Sequence, residues 1–405
     1  MKKKVLILTA DAGFGHRSAA NAVAAALDEK YSEELTYEIV NPLDDKRAPA
    51  FLRDSQADYT KWVRSVPELY KFGYEASDSL VPTKLMENTL AILLNEVMRD
   101  ILRTTQPDVI LCTYPLYQSA ITALASSKRY RIPMYTVITD LSTVHRMWFH
   151  RKADGCIVPN SLVADLATSY GIDPEKVIIT GIPVHPNVVR ESRSKNEIRK
   201  ELGWEQNIPT VLAVGSKRVE RLVDTLNIIN HFGGPVQLIV VAGKDERLLA
   251  ELEHFDWHIP AHVYDFVDNI PTMMHASDLI ICKAGGLIVT ESLACGLPMI
   301  LIDIIPGQET GNAEYVTALG AADLAETPVA VLEGLNHLIM HDQALLHQRA
   351  ENARRIGQPR SAYKVASILY EAIKDLPVRA ESTTKRGHRH PTNPPLENET
   401  PTWIP

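Results

Sequence analysis

The chain has 405 residues, 45% hydrophobic, 23% charged and 6% aromatic, a globular composition that excludes wholesale disorder and fibrous repeats. Lys and Arg total 42 against 50 Asp and Glu, a formal net charge of -8, which argues against a broadly basic face and a nucleic-acid partner. The length predicts two or three domains, and four widely spaced cysteines (Cys112, Cys156, Cys282, Cys295), with no Cys-x-x-Cys pair and no His at zinc spacing, read as reduced core residues of a cytosolic protein.

In chain order, Met1-Lys2-Lys3-Lys4 precede an apolar run from Val5 to Ala10 that stops at Asp11. It is shorter than the ~7 to 15 residues of a signal-peptide core, and no run approaches the ~20 residues that span a bilayer, so any membrane contact is expected to be peripheral. Short apolar runs then alternate with helical patterns, the signature of α/β architecture with parallel sheets. Strands are predicted at 5–9, 36–40, 109–113, 134–139, 155–158 and 176–179, then at 210–214, 236–242, 263–266, 279–282, 299–302 and 321–324. Each series of about six suffices for one doubly wound sheet. The join is expected in residues 183–195, dividing the chain into an N-terminal domain over 1–188 and a C-terminal domain over 189–376 whose last helix packs back on the first.

Two segments break the rhythm. Residues 44–105 separate the second and third strands, far longer than a connection of ~2 to 6 residues. They mix Phe51, Tyr59, Trp62, Tyr70, Phe72 and Tyr74 with Lys46, Arg47, Arg53, Lys61, Arg64, Lys71 and Lys84. Either this insertion contacts a membrane, with Trp62, Lys61, Arg64 and Lys71 at the interface, or it is a helical pair packed on the sheet with Leu69 and Leu90 in its core. The tail, 377–405, is rich in Pro, Thr, Glu and Arg with few aliphatics and is expected to be disordered.

The first strand leads into Asp11-Ala12-Gly13-Phe14-Gly15-His16, then a helix with Ala20, Val23, Ala24 and Leu27 on one face. Gly13 and Gly15 permit a tight turn with close approach of a ligand, and His16 stands at the carboxyl edge of the sheet, where ligands bind in such folds. A dinucleotide fingerprint needs a glycine where Ser18 stands, so redox cofactor binding is disfavoured. Alone, His16 reads equally as a capping or loop histidine. The second half carries more. The run 279–282 leads into Lys283-Ala284-Gly285-Gly286 and a helix containing Glu291. A glycine-started helix N-terminus suits phosphate, and Glu291 can accept hydrogen bonds from ribose hydroxyls. The next strand ends in Ile305-Pro306-Gly307-Gln308-Glu309, then Asn312, polar side chains on a loop suited to reading sugar hydroxyls.

In order, Gly13-Phe14-Gly15-His16, Thr139-Asp140-Leu141 with Trp148-Phe149-His150, Gly181-Ile182-Pro183-Val184, Ala242-Gly243-Lys244, Phe266-Val267, Lys283-Ala284-Gly285-Gly286 with Glu291, and Pro306-Gly307-Gln308-Glu309 with Asn312 carry a resemblance over roughly residues 4–375. The chain resembles the monogalactosyldiacylglycerol synthase and processive diacylglycerol glucosyltransferase group (glycosyltransferase family 28). The Pro-Gly-Gln-Glu stretch with the preceding glycine helix is the most specific element.

The resemblance implies the GT-B fold: two Rossmann-like, doubly wound parallel-sheet domains facing a cleft. It implies inverting transfer of glucose or galactose from a UDP-hexose to diacylglycerol, at the cytoplasmic face of the cell membrane and against an anionic membrane surface. By carry-over, Phe266 and Val267 border the uracil, Glu291 binds the ribose, Gly285 and Gly286 approach the diphosphate, and Gln308 and Glu309 contact the hexose with Asn312 nearby. His16 resembles the proposed base, and Asp140 is the second candidate or its orienting partner. Gly215-Ser216-Lys217-Arg218 stands where relatives often carry a glycine-rich loop, so Lys217 or Arg218 is expected to supply charge to the phosphates. Metal-dependent relatives usually use an Asp-x-Asp pair, which this chain lacks, so no cofactor or essential metal is expected. A UDP-sugar epimerase or hydrolase, a transferase for another lipid, and a non-catalytic UDP-sugar sensor remain open, as do donor sugar and oligomeric state.

Overall fold

Twelve apolar runs form strands in the computed structural model, which describes residues 2–12, 14–54, 78–127, 132–216, 219, 221–305, 309–340 and 342–376. They are β1 (Lys3–Leu8), β2 (Leu35–Val40), β3 (Val109–Cys112), β4 (Met134–Val137), β5 (Gly155–Val158) and β6 (Val177–Ile179), then β7 (Thr210–Val214), β8 (Gln237–Val241), β9 (Ala261–Tyr264), β10 (Leu279–Cys282), β11 (Met299–Leu301) and β12 (Ala322–Leu324). The largest displacement from expectation is at β9, which starts two residues early and leaves Phe266 beyond the strand end. The first six form a sheet in the order β2-β1-β3-β4-β5-β6, the others a sheet in the order β12-β11-β10-β7-β8-β9. Every pairing is parallel, for example Ile7 beside Leu111 and Leu212 beside Ile280. Central strands covered by helices on both faces must be apolar throughout. Val5 to Leu8 and Val109 to Cys112 are accordingly fully buried, each aliphatic side chain contributing about 1.5–3 kcal/mol.

The helix Phe14–Tyr31 is alanine-rich, which favours it intrinsically, and lays Ala20, Val23, Ala24 and Leu27 on Val5, Ile7, Val109 and Leu111. The final helix, Ser361–Ile373, packs against it: Tyr370 stacks on Tyr31 with centroids 4.3 Å apart, and Lys3 caps its C-terminus by donating to the Lys374 carbonyl at 2.8 Å. Residues 183–195 contain the short helix Asn187–Arg190.

In the long insertion, the helices Leu80–Leu93 and Asn95–Thr105 bury Leu90, Leu94, Val97, Met98 and Leu102, most of them against the first sheet with Leu6, Leu8 and Tyr117. Part of this insertion is therefore a packed helical pair, with Leu90 in its core. Leu69, Trp62, Lys61, Arg64 and Lys71 lie outside the described residues, as do Gly13, Lys217, Arg218, Gln308 and the tail from residue 377.

Candidate active site

Strand order reverses between β1 and β3 in one sheet and between β10 and β7 in the other. At such switch points, connections leave in opposite directions and open a crevice at the carboxyl ends of the strands. The two crevices meet in one cavity lined by His16, Thr139 and Asp140 from the first domain and by Gly215, Phe266, Gly285, Gly286, Glu291, Glu309 and Asn312 from the second.

On the first side, His16 sits in the opening turn of the helix Phe14–Tyr31. Its ring lies edge-on to Tyr114 at 5.0 Å between centroids and tilted to Trp148 at 5.7 Å. Its Nδ1 is 3.1 Å from the Thr139 hydroxyl. Burial pulls the His16 pKa down to about 4, and the positive helix N-terminus acts in the same sense. The imidazole is therefore neutral at ordinary pH. Asp140 is held the other way: burial first, then the Glu309 carboxylate, push its carboxyl up to about 7, against a hydrogen bond from Asn312.

On the second side, the glycine helix Gly286–Ala294 follows β10 directly and points its free N–H groups into the cavity. Glu291, one turn in, faces an apolar wall that includes Val214, Val267, Ile270 and Ile288, and burial pushes its carboxyl up to about 7. Lys283 pairs with Glu309, whose other carboxylate oxygen accepts the Ile305 N–H at 3.2 Å. Phe266 is 45% exposed, with the Lys244 ammonium 4.0 Å from its ring centroid. Gly215 is enclosed by Leu222 and Leu248, where a Cβ would stand 2.8 and 2.7 Å from their methyl carbons.

A family model for monogalactosyldiacylglycerol (MGDG) synthase matches residues 16–184, and one for the glycosyltransferase family 28 C-terminal domain matches residues 210–367. The chain is 32% identical over 394 residues to the chloroplastic monogalactosyldiacylglycerol synthase of Spinacia oleracea, covering 92% of this chain and 73% of that one. It is 30% identical to chloroplastic monogalactosyldiacylglycerol synthase 1 of Arabidopsis thaliana, covering 92% and 71%. The chain belongs to the monogalactosyldiacylglycerol synthase family. Among solved structures it is similar to MurG of Acinetobacter baumannii (15% identity, TM-score 0.59, 92% of this chain and 100% of that one). It is also similar to Anabaena HepE in complex with UDP and glucose (15% identity, TM-score 0.53, 92% and 100%). These likenesses carry the fold, and the two facing parallel sheets are the GT-B arrangement that the sequence implied.

Within this MGDG synthase-family site the structure revises several sequence readings. His16 and Gly15 belong to the helix rather than a loop, because the chain turns helical at Phe14; a Cβ on Gly15 would meet nothing within 4 Å, so the space before His16 is open. The ring of His16 meets Thr139, one residue before the Asp140 considered for that task, and the Thr113 backbone. Asn312 is not on a loop but in the helix Thr310–Ala318, buried and hydrogen-bonded by protein at both ends of its amide. Sequence reasoning gave no role to Thr139, Tyr114 or Lys283. All three follow strand ends at the same edge as residues that were singled out, which is the signal that could have found them.

Proposed function

We propose that this chain transfers a hexose from a UDP-sugar to the hydroxyl of diacylglycerol with inversion at the anomeric carbon. The observation that carries the reading is that His16, from one domain, and Glu291, from the other, line a single cavity. A neutral imidazole can take the proton of the attacking hydroxyl as its oxygen bonds to the anomeric carbon. The bond to UDP breaks with its electron pair on the diphosphate. Helix N-terminal amides at Gly286 and the Lys283 ammonium, which line the same cavity, stabilise that charge in this reading. Ribose hydroxyls donate to Glu291, Phe266 and Val267 border the base, and Glu309 with Gln308 reads the hexose. The relatives named for monogalactosyldiacylglycerol favour galactose as the sugar. The epimerase or hydrolase alternative is not favoured, since the matching family models and the similar curated proteins are those of monogalactosyldiacylglycerol synthases and family 28 glycosyltransferases.

The acceptor is insoluble, and among the described residues no helix is long and apolar enough to cross a membrane. The proposal therefore includes reversible docking on an anionic membrane surface, at the cytoplasmic face of the cell membrane, through the 44–105 insertion. Val81, Leu85 and Ile92 form one stripe of the helix Leu80–Leu93, 68–77% exposed, beside the exposed Lys84, and Phe51 is 64% exposed. Three large apolar side chains on one solvent-facing stripe fit an interfacial helix. Incubation with labelled UDP-galactose or UDP-glucose, with and without diacylglycerol, tests the reading. Label should enter lipid only when diacylglycerol is present. Release of free hexose alone would indicate a hydrolase, and bound but unconverted donor a sensor.

A further inference from the structure

Asn312 is 1% exposed and joins the two domains. Its Oδ1 accepts the Leu141 N–H at 2.8 Å, across the cleft, while its Nδ2 donates to the Ala284 carbonyl at 3.1 Å in its own domain. The same amide hydrogen-bonds the Asp140 carboxylate. A side-chain amide has two donors and one acceptor oxygen, and here both ends are engaged by protein. Two glycines press on the same segment. A Cβ on Gly286 would stand 2.3 Å from the Thr139 carbonyl oxygen, and one on Gly311 would stand 2.1 Å from the Thr143 hydroxyl. Residues 139–143 of the first domain are thus seated directly on two helix starts of the second. Thr139 faces the other way as well, with its hydroxyl 3.1 Å from His16 Nδ1.

We propose that Asn312 is a positioning residue: it fixes the Thr139–Leu141 segment to the donor domain, and Thr139 in turn holds the His16 ring, so that base and donor sugar stay in register. The inference rests on the reading of His16 as the base. The base belongs to one domain and the donor to the other, so any rotation between them changes the distance over which the proton and the sugar must move. A misplacement of about 1 Å can cost about 10²-fold in rate. The chemistry at Thr139 is equally direct. Once His16 has taken a proton at Nε2, both ring nitrogens carry hydrogens, and Nδ1–H needs an acceptor. The Thr139 oxygen stands 3.1 Å from Nδ1 and can accept that hydrogen, beside a hydrogen bond between the ring and the Thr113 backbone that also favours the charged form.

The test compares Asn312→Ala, Thr139→Val, Thr139→Ser and the Asn312→Ala/Thr139→Val double variant, with His16→Ala alongside. Asn312→Ala and Thr139→Val should each lower kcat by about 10²-fold at unchanged UDP affinity by calorimetry, which also reports folding. Thr139→Ser should restore most of the rate. Because both residues act along one path, the double variant should be no slower than the slower single variant. The ratio of glucose to galactose transfer should be the same in Asn312→Ala as in wild type. A wild-type kcat in either single variant, multiplicative losses in the double, or a shifted sugar ratio would overturn the proposal, the last by making Asn312 a sugar contact. Should Asn312→Ala fail to fold, Thr139→Val decides: a wild-type rate there overturns the proposal. Near-normal turnover in His16→Ala would remove the base reading itself, whereas an inactive His16→Ala beside a full-speed Thr139→Val would remove only this inference.

Discussion

Glu291→Gln should make the unliganded protein more stable and the donor more weakly bound, both most strongly at and above pH 7. Burial raises the Glu291 carboxyl from 4.5 to about 7, and among the described residues no hydrogen bond or cation offsets that cost. The folded chain therefore keeps a proton that the unfolded chain has already released. Stability falls as pH rises through that window and is level above it, by about 1.4 kcal/mol per pH unit and about 3 kcal/mol in all. Glutamine keeps the shape and cannot ionise, so the variant should melt higher at pH 8 and converge on wild type near pH 4, below the unfolded pKa. Donor binding runs the other way. Ribose hydroxyls donate to the carboxylate, so UDP-galactose, which has no group of its own titrating near pH 7, should bind wild type about tenfold more tightly at pH 8 than at pH 6. The variant should bind weakly and without that slope. Calorimetry across pH, with thermal melts on the same samples, measures both. An identical slope in Glu291→Gln would move the titration to Asp140, whose carboxyl also stands at about 7. Absence of the stability gain would refute the burial argument.

His16→Ala should lose about 10² to 10⁴ in rate with UDP affinity nearly intact in calorimetry; equal loss of UDP binding would remove the residue from the acceptor side. Glu309→Ala should impair use of the whole UDP-sugar more than binding of UDP, and it leaves the part-buried Lys283 ammonium without its carboxylate, so the denaturant melt should fall by about 1 kcal/mol. Gly286→Ala drives a methyl into the Thr139 carbonyl, so kcat and stability should fall together, the latter by about 1–3 kcal/mol; an unchanged melt would show that the contact yields freely. A Val81→Ser, Leu85→Ser, Ile92→Ser variant should co-sediment less with anionic vesicles than wild type at equal UDP affinity, and equal sedimentation would contradict docking through that helix.

The strands were legible because parallel strands buried on both faces must be apolar throughout, and runs such as Val5 to Leu8 and Leu279 to Cys282 have no other reading once Gly-containing turns follow them. The glycine helix and Glu291 were legible for the same reason: their distance from β10 is fixed by local chain geometry. What sequence could not give is which residues meet across the cleft. Asn312 reads as a loop side chain for sugar until the 139–143 segment is seen resting on its helix, and Thr139 looks like the last residue of a strand until its hydroxyl meets His16. Those contacts join positions 123 and 171 residues apart, and no periodicity encodes them. The insertion was half legible. Its length marked it as special, but Leu94, Val97 and Met98 turning inward while Val81, Leu85 and Ile92 face out is set by the sheet beneath.

The most direct measurement of the central claim is the structure of the lipid formed when the purified protein meets UDP-galactose, or UDP-glucose, and diacylglycerol vesicles. Mass spectrometry identifies the product, and proton NMR gives its anomeric configuration. Direct attack by a hydroxyl deprotonated at His16 inverts the α-linked donor, so the account predicts a β-hexosyl diacylglycerol, absent with His16→Ala. An α-linked lipid, or free hexose with unmodified diacylglycerol, would contradict it.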